Sequence, residues 1–282
     1  MKKILSLILS VFMLLPAAMV YPTSVGASEN TAYVSTDGVI AGFDGTVYTS
    51  ISSALSALPA GDATIYLEGV DTLPVTPDLS KHAGKTLKIV GYNNSANGNV
   101  VQFKNATKSF IPTGGANIVF DNITVKHADG STTEDWIFPS DGSITFGENC
   151  LYEHGYRADK NLDLKMHIGS YYAKNGGTIN FDSPDVQYAE IGSIAGYLGG
   201  TTSSFTTEGD VVYNFNAGTF DNIYGGMRNG TSGFATLNGD VYYNFNGATL
   251  SSGKTLATGN ISNGVINGNI FFTFNGGNVT AP

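Results

Sequence analysis

The sequence predicts an all-β chain wound as a single-domain parallel β-helix. One phrase occurs three times near the C-terminus: Gly209-Asp-Val-Val-Tyr-Asn-Phe-Asn-Ala-Gly-Thr-Phe220, Gly239-Asp-Val-Tyr-Tyr-Asn-Phe-Asn-Gly-Ala-Thr-Leu250 and Gly268-Asn-Ile-Phe-Phe-Thr-Phe-Asn-Gly-Gly-Asn-Val279. The copies lie 30 and then 29 residues apart, measured at Phe215, Phe245 and Phe274. A fixed period of this size means stacked units that cannot bury an apolar face alone. Within each copy, large apolar residues alternate with polar ones, the period of a half-buried strand. Glycines bracket each copy, at 209, 239 and 268 and again at 218, 247, 276 and 277. They suit the tight corners between short strands.

Aligning the copies gives columns. Val211, Val241 and Ile270 form one; Tyr213, Tyr243 and Phe272 a second; Phe215, Phe245 and Phe274 a third. These are uniformly large and apolar, so they are assigned to the inward face. Asn216, Asn246 and Asn275 form an outward column, able to pass amide hydrogen bonds along a parallel ladder. Phe220, Leu250 and Val279 make a further apolar column. A helical solenoid is excluded by the Gly, Asn, Thr and aromatic content and by the absence of a 3.6-residue apolar stripe. Recurrent Leu is missing, which excludes leucine-rich repeats, and the period is too short for a propeller blade.

The chain begins with Lys2-Lys3, an apolar run from Ile4 to Leu15 and the small residues Val25-Gly26-Ala27. This is the pattern of a secretory signal peptide, residues 1–27, leaving 28–282 as the β-helix domain. Pro16 and Pro22 argue against a membrane anchor, so no membrane span is expected after cleavage. Removing Lys2 and Lys3 from 14 basic residues leaves 12 against 23 acidic ones, a net charge of 12 − 23 = −11. That charge repels nucleic acid and anionic lipid, so neither is an expected partner. The one cysteine, Cys150, permits no internal disulfide, so repeat packing must hold the chain together. A secreted or cell-surface location is expected.

The N-terminal part and cap cover 28–67, and the clearest repeats 209–282. Ala32-Tyr-Val-Ser35 and Val39-Ile-Ala-Gly42 read as short strands. Thr49 or Ser50 can N-cap a short helix in which Ile51, Ala54, Leu55 and Leu58 share a face. Pro59 and Gly61 end it. Thr64 to Leu67 begins a strand at once. This helix-then-strand unit resembles the start of right-handed parallel β-helix proteins of the pectin-lyase-like superfamily. Ala116-Asn-Ile-Val-Phe-Asp-Asn-Ile-Thr-Val-Lys126 is similar to coils of that superfamily, and Asp221-Asn-Ile-Tyr-Gly-Gly226 resembles β-helical repeats of bacterial surface proteins. Further strands are read at 86–91, 99–103, 142–146, 162–168, 177–181 and 188–194.

The resemblance implies a right-handed helix and raises the activities of pectate lyases, pectinesterases and polygalacturonases. Their site patterns have no match here: the chain has Glu153-His154-Gly155 and no Asp-Asp pair. Catalytic candidates reduce to Glu153 and Asp163 as an acid/base pair, with Arg157 holding a uronate. They lie in the densest charged stretch, which also contains Glu148, Cys150, His154, Asp159, Lys165 and His167. A solvated loop with weakly paired charges is the preferred reading of such a run. Cys150 reads as a buried small hydrophobe. Binding candidates are Trp136, which packing among Ile137, Phe138 and Pro139 also explains, and the outward aromatics Tyr242 and Phe271 with Tyr224 on a later segment. No metal ligand set or cofactor is assigned; calcium in Asn/Asp-rich corners lacks the nonapeptide repeat that would mark it.

The expectation is a non-catalytic protein for adhesion or carbohydrate and matrix binding, with a polysaccharide or a surface glycan or protein as partner. The alternatives are a divergent polysaccharide lyase or glycoside hydrolase, and a structural stalk or fragment of a larger surface protein. The last coil, 268–279, offers an unprotected edge, so self-association through it is expected.

Overall fold

Ten parallel strands form one continuous sheet. In spatial order they are Val47–Tyr48, Thr31–Ser35, Ala63–Glu68, Thr86–Gly91, Asn117–Asp121, Ser143–Phe146, Gly177–Phe181, Val211–Phe215, Val241–Phe245 and Ile270–Phe274. The computed structural model describes residues 30–74, 76–103, 110, 112–126, 136–137, 142–153, 155–157, 162–164, 167–168, 176–185, 187–191, 205–224, 235–251, 256–257 and 264–279. The expected signal peptide, 1–27, lies outside them. From Ala63–Glu68 onward, each strand sits one place further along the sheet than its predecessor. Parallel neighbours need such a crossover, and here it runs through other walls. One is a four-stranded parallel sheet, ordered Leu151–Glu153, Thr124–Lys126, Val100–Gln102, Val70–Thr72. Nearer the C-terminus a wall runs Asn278–Val279, Thr249–Leu250, Thr219–Tyr224, Gln187–Ile191, His167–Ile168, Trp136–Ile137. Phe205–Glu208, Ala235–Asn238 and Gly264–Ile266 make a third. The result is a right-handed parallel β-helix.

The predicted register is the observed one. Val211, Val241 and Ile270 pair in line, as do Tyr213, Tyr243 and Phe272, and Phe215, Phe245 and Phe274. The phenylalanine column continues well beyond the repeat, through Phe181, Phe146 and Phe120 to Ile89, Ile65 and Ala32. From Phe120 to Phe274 the ring centroids are 5.9, 5.7, 5.4, 4.7 and 4.8 Å apart, with planes within 23°. Phe120, Phe146, Phe181, Phe215 and Phe245 are fully buried, whereas Phe274 is 52% exposed because the sheet ends there. Full burial of each ring contributes about 1.5–3 kcal/mol, so this column is the backbone of the core. The column Phe220, Leu250, Val279 also pairs as expected. Coil stacking dictates the corners: a Cβ on Gly239 would strike the carbonyl oxygen of Gly209, and one on Gly268 that of Gly239.

The N-terminal end is closed by helix α1, Ile51–Ala57. Of the two cap candidates it is Ser50 that serves, accepting from the Ser53 N–H at 3.1 Å. The Asp71 carboxylate accepts from Ile51 N–H at 2.5 Å. At the other end Lys81 Nζ donates to the carbonyls of Leu55, Ser56 and Leu58 at 2.6, 3.2 and 2.6 Å. Ile51, Ala54, Leu55 and Leu58 are buried with Ala32, Val34, Ile65 and Leu67.

Three strand readings differ from the structure. Residues 39–42 form a turn, with Val39 69% exposed and Gly42 at φ 76°. The run 116–126 is two strands, Asn117–Asp121 and Thr124–Lys126, because Asn122 takes φ 46° and turns the chain from one wall to the next. Asparagine tolerates that left-handed conformation better than most residues. The run 162–168 also splits. Leu162–Leu164 pairs antiparallel with Gly155–Arg157 as a local hairpin, and His167–Ile168 joins the C-terminal wall.

Candidate functional site

The outward face of the long sheet gathers the chemistry near its C-terminal end. Because Val211, Tyr213 and Phe215 point inward, Val212, Asn214 and the residues beside them point out. The same alternation sets Tyr242 and Phe271 outward and in register with Val212. Tyr242 and Phe271 stack with centroids 5.0 Å apart and planes within 14°. The two rings therefore cover each other's faces and turn their edges to solvent. The far face of Phe271, which is 42% exposed, looks along the solenoid axis. Tyr242 Oη donates to Asp240 Oδ2 at 3.3 Å. Desolvation raises the phenol of Tyr242, and the charges of Asp240 and Asp210 add to it. Asp240 is itself held below the usual carboxylate range, first by the Asn269 backbone N–H and also by side-chain bonds from Asn269 and Tyr242.

Beside the rings run amide ladders. Asn244 Nδ2 donates to Asn214 Oδ1 at 2.9 Å, Asn214 to Asn180 at 2.7 Å, and Asn180 to Thr145 Oγ1 at 2.9 Å. The column expected at 216, 246 and 275 is present. Asn275 donates to Asn246 at 2.9 Å, Asn246 to Asn216 at 2.7 Å, and Asn216 to Asp182 Oδ1 at 2.6 Å. A third ladder runs Asn267 to Asn238 at 2.7 Å and Asn238 to Glu208 Oε1 at 2.9 Å. A carboxylate only accepts, so Asp182 and Glu208 fix the direction of the ladders rooted on them. Each amide donates toward the N-terminal end and presents its oxygen toward the C-terminal end.

The other candidates whose backbone is described stand on strands of other sheets. Glu153 ends a strand of the four-stranded wall and meets Lys126 Nζ at 3.6 Å, a half-exposed pair of little energetic weight. Arg157 and Asp163 lie on the antiparallel hairpin, where Arg157 pairs with Leu162 and Asp163 with Tyr156, so they are not cross-strand partners. Their side chains lie outside the described residues, as do those of Trp136 and Tyr224 and the whole of His154, Asp159 and Lys165. Trp136 sits at the far edge of the C-terminal wall, next to His167. Tyr224 belongs to that same wall and pairs with Ala257, so it is on a different sheet from Tyr242 and Phe271. Cys150 is buried as expected, and burial, then Asp121 and Asp185, push its thiol far up, leaving an unreactive group. Among the described residues no three His, Cys, Asp or Glu side chains gather as a metal site, and no helix is long and apolar enough to cross a membrane.

One aromatic group escaped the sequence reading. Tyr33 and Tyr66 pair in register on the outward face at the N-terminal end and stack at 5.3 Å. Phe43 closes over Tyr33 at 4.1 Å, and Tyr92 approaches it at 6.3 Å. The phenol of Tyr33 is raised by burial, then by Tyr66 and Tyr92. The signal was present in the alternation of Ala32-Tyr33-Val34 and Ile65-Tyr66-Leu67, where a ring stands between two buried aliphatic residues.

No family model matches the chain, and neither the curated proteins nor the solved structures include one significantly similar to it.

Proposed function

We propose that this chain is a secreted or cell-surface β-helix that binds a glycan or matrix polymer without catalysing its cleavage. The carrying observation is the Tyr242–Phe271 stack lying beside an outward amide and hydroxyl column, Asn214, Asn244 and Thr273. Sugars offer apolar C–H edges and dense hydroxyls, and a surface with both aromatic carbon and amide groups matches that mixture. Because the two rings cover one another, the sugar contact falls on their edges and on the far face of Phe271. The helix-then-strand start and the coil pattern support a kinship in architecture with the pectin-lyase-like superfamily. Architecture carries no activity with it. The lack of a matching site pattern, with Glu153-His154-Gly155 and no Asp-Asp pair in the chain, favours the non-catalytic reading over a divergent lyase or hydrolase.

A glycan array, paired with reducing-sugar and unsaturated-product assays on pectin and polygalacturonate, tests this. The expected result is saturable binding without turnover, lost in Tyr242→Ala and Phe271→Ala while the circular dichroism stays unchanged. Turnover abolished by Glu153→Gln, Asp163→Asn or Arg157→Ala would replace this reading with the enzymatic one.

A further inference from the structure

Two outward rows run side by side across the middle coils of the long sheet. One passes from Asn117 through Thr178 to Tyr242. The other passes from Val119 through Thr145, Asn180 and Asn214 to Asn244. At about 4.8 Å per coil the strip is about 19 Å long, and its rows lie about 7 Å apart. Every side chain in it is half-buried and uncharged, although the chain as a whole is acidic. Charge begins where the strip stops. Lys88 stands one coil before Val119, and Asp121 and Asp182 stand two residues beyond Val119 and Asn180.

The second row has a definite hydrogen-bonding capacity left over. A side-chain amide has two N–H groups and an oxygen with two lone pairs. Asn180 uses one N–H on Thr145 and one lone pair on Asn214, and Asn214 uses one N–H on Asn180 and one lone pair on Asn244. Each of these rungs keeps one N–H and one lone pair, repeated at every coil. A hydroxyl, which both donates and accepts, meets both. A carboxylate only accepts and an ammonium only donates, so either leaves half of each rung unmet.

We propose that this strip is a rail for one uncharged, hydroxyl-bearing polysaccharide chain lying along the solenoid axis, with Asn180 and Asn214 determining its specificity. This deepens the glycan reading above and rests on it. The rungs are already ordered by one another, so docking gives up little side-chain freedom. Thr178 lies two coils, about 10 Å, from Tyr242, so a chain on the rail passes over it, whereas a sugar held at the rings alone does not. Polyuronate is the polymer the strip rejects. Its carboxylates meet the spare lone pairs of the rungs and the like charges of Asp121 and Asp182.

Affinity electrophoresis at fixed ionic strength tests this, through gels containing β-1,4-xylan, mixed-linkage β-glucan or galactomannan and a parallel gel containing polygalacturonate. Retardation is expected in at least one neutral gel and not in polygalacturonate. Thr178 is not a rung, so Thr178→Glu leaves the ladder intact while setting a charge under neutral hydroxyls; retention should weaken at least about fivefold. Asn214→Leu removes the spare donor and acceptor and should weaken it about tenfold. Thermal melts check that both variants are folded. Retention by polygalacturonate alone overturns the rail and leaves the glycan reading standing. So does neutral retention that is lost in Tyr242→Ala yet unchanged in Thr178→Glu and Asn214→Leu. Absence of retention in every gel overturns both.

Discussion

At the scale of single residues, position along the stack decides what a side chain is worth. Phe245 is buried between two rings, and Phe274 has one ring and open solvent. Phe245→Ala is expected to cost ~3–5 kcal/mol. Phe274→Ala, from a half-exposed site, should cost only about 1 kcal/mol. Urea unfolding of both variants checks the contrast, and equal midpoints would mean that the ring column does not carry the core. The amide ladders make a sharper prediction. Asn244→Asp removes the donor to Asn214 and faces a carboxylate with an oxygen. The charged form is disfavoured in the folded state, so the new carboxyl titrates higher folded than unfolded. The folded state then binds more protons at intermediate pH, and stability falls as pH rises. The variant should be destabilised by about 1–2 kcal/mol at neutral pH and recover as the carboxyl protonates in acid. Melting curves across that range read the sign directly.

Individual elements differ in how far they could be read from the amino-acid order. The strands at 211–215, 241–245 and 270–274 were legible because their coils have nearly constant length and repeat the same phrase. The strands at 117–121, 143–146 and 177–181 feed the same phenylalanine column, yet their coils are 31, 26 and 35 residues long. Varying insertions at the corners erase the period while leaving Ile118-Val-Phe120, Ile144-Thr-Phe146 and Ile179-Asn-Phe181 in register. Aligning those triplets would have found the full stack. The hairpin of Gly155–Arg157 and Leu162–Leu164 was hidden for a different reason: it leaves the coil path, and local alternation does not distinguish antiparallel from parallel pairing. Residue type alone groups Tyr224 with Tyr242, but a corner carries it to another wall. The cap helix was legible from its capping residue and apolar face, whereas its tie to Lys81 was not, since the contact spans more than 20 residues. Lys81→Met should leave the Leu55, Ser56 and Leu58 carbonyls without their donor. A loss of about 1–2 kcal/mol is expected in thermal unfolding, with the far-ultraviolet signal of the sheet unchanged.

For the whole molecule, the two ends are unlike. Among the described residues one is covered by a helix, and at the other Ile270–Phe274 is the last strand of the long sheet. Stability in a solenoid is a sum over neighbouring coils, so opening should begin where a neighbour is missing. Amide exchange is expected to be fastest in 270–274, slower in 241–245 and slowest near 118–120 and 144–146; uniform protection along the sheet would contradict this. The ladders carry one more consequence, and it concerns time. Stacking demands asparagine at 238, 246, 267 and 275, and the corners demand glycine immediately after each, so four Asn-Gly dipeptides arise from packing alone. In such a pair the unhindered glycine nitrogen can attack the side-chain amide, expel ammonia and close a succinimide, which water opens to aspartate or isoaspartate. Within the stack both ends of the amide are held, which opposes that attack. At Asn267 and Asn275 only the donating end is held among the described residues. Chemical ageing should therefore start at these two rungs and work inward, turning neutral rungs into negative charges one coil at a time.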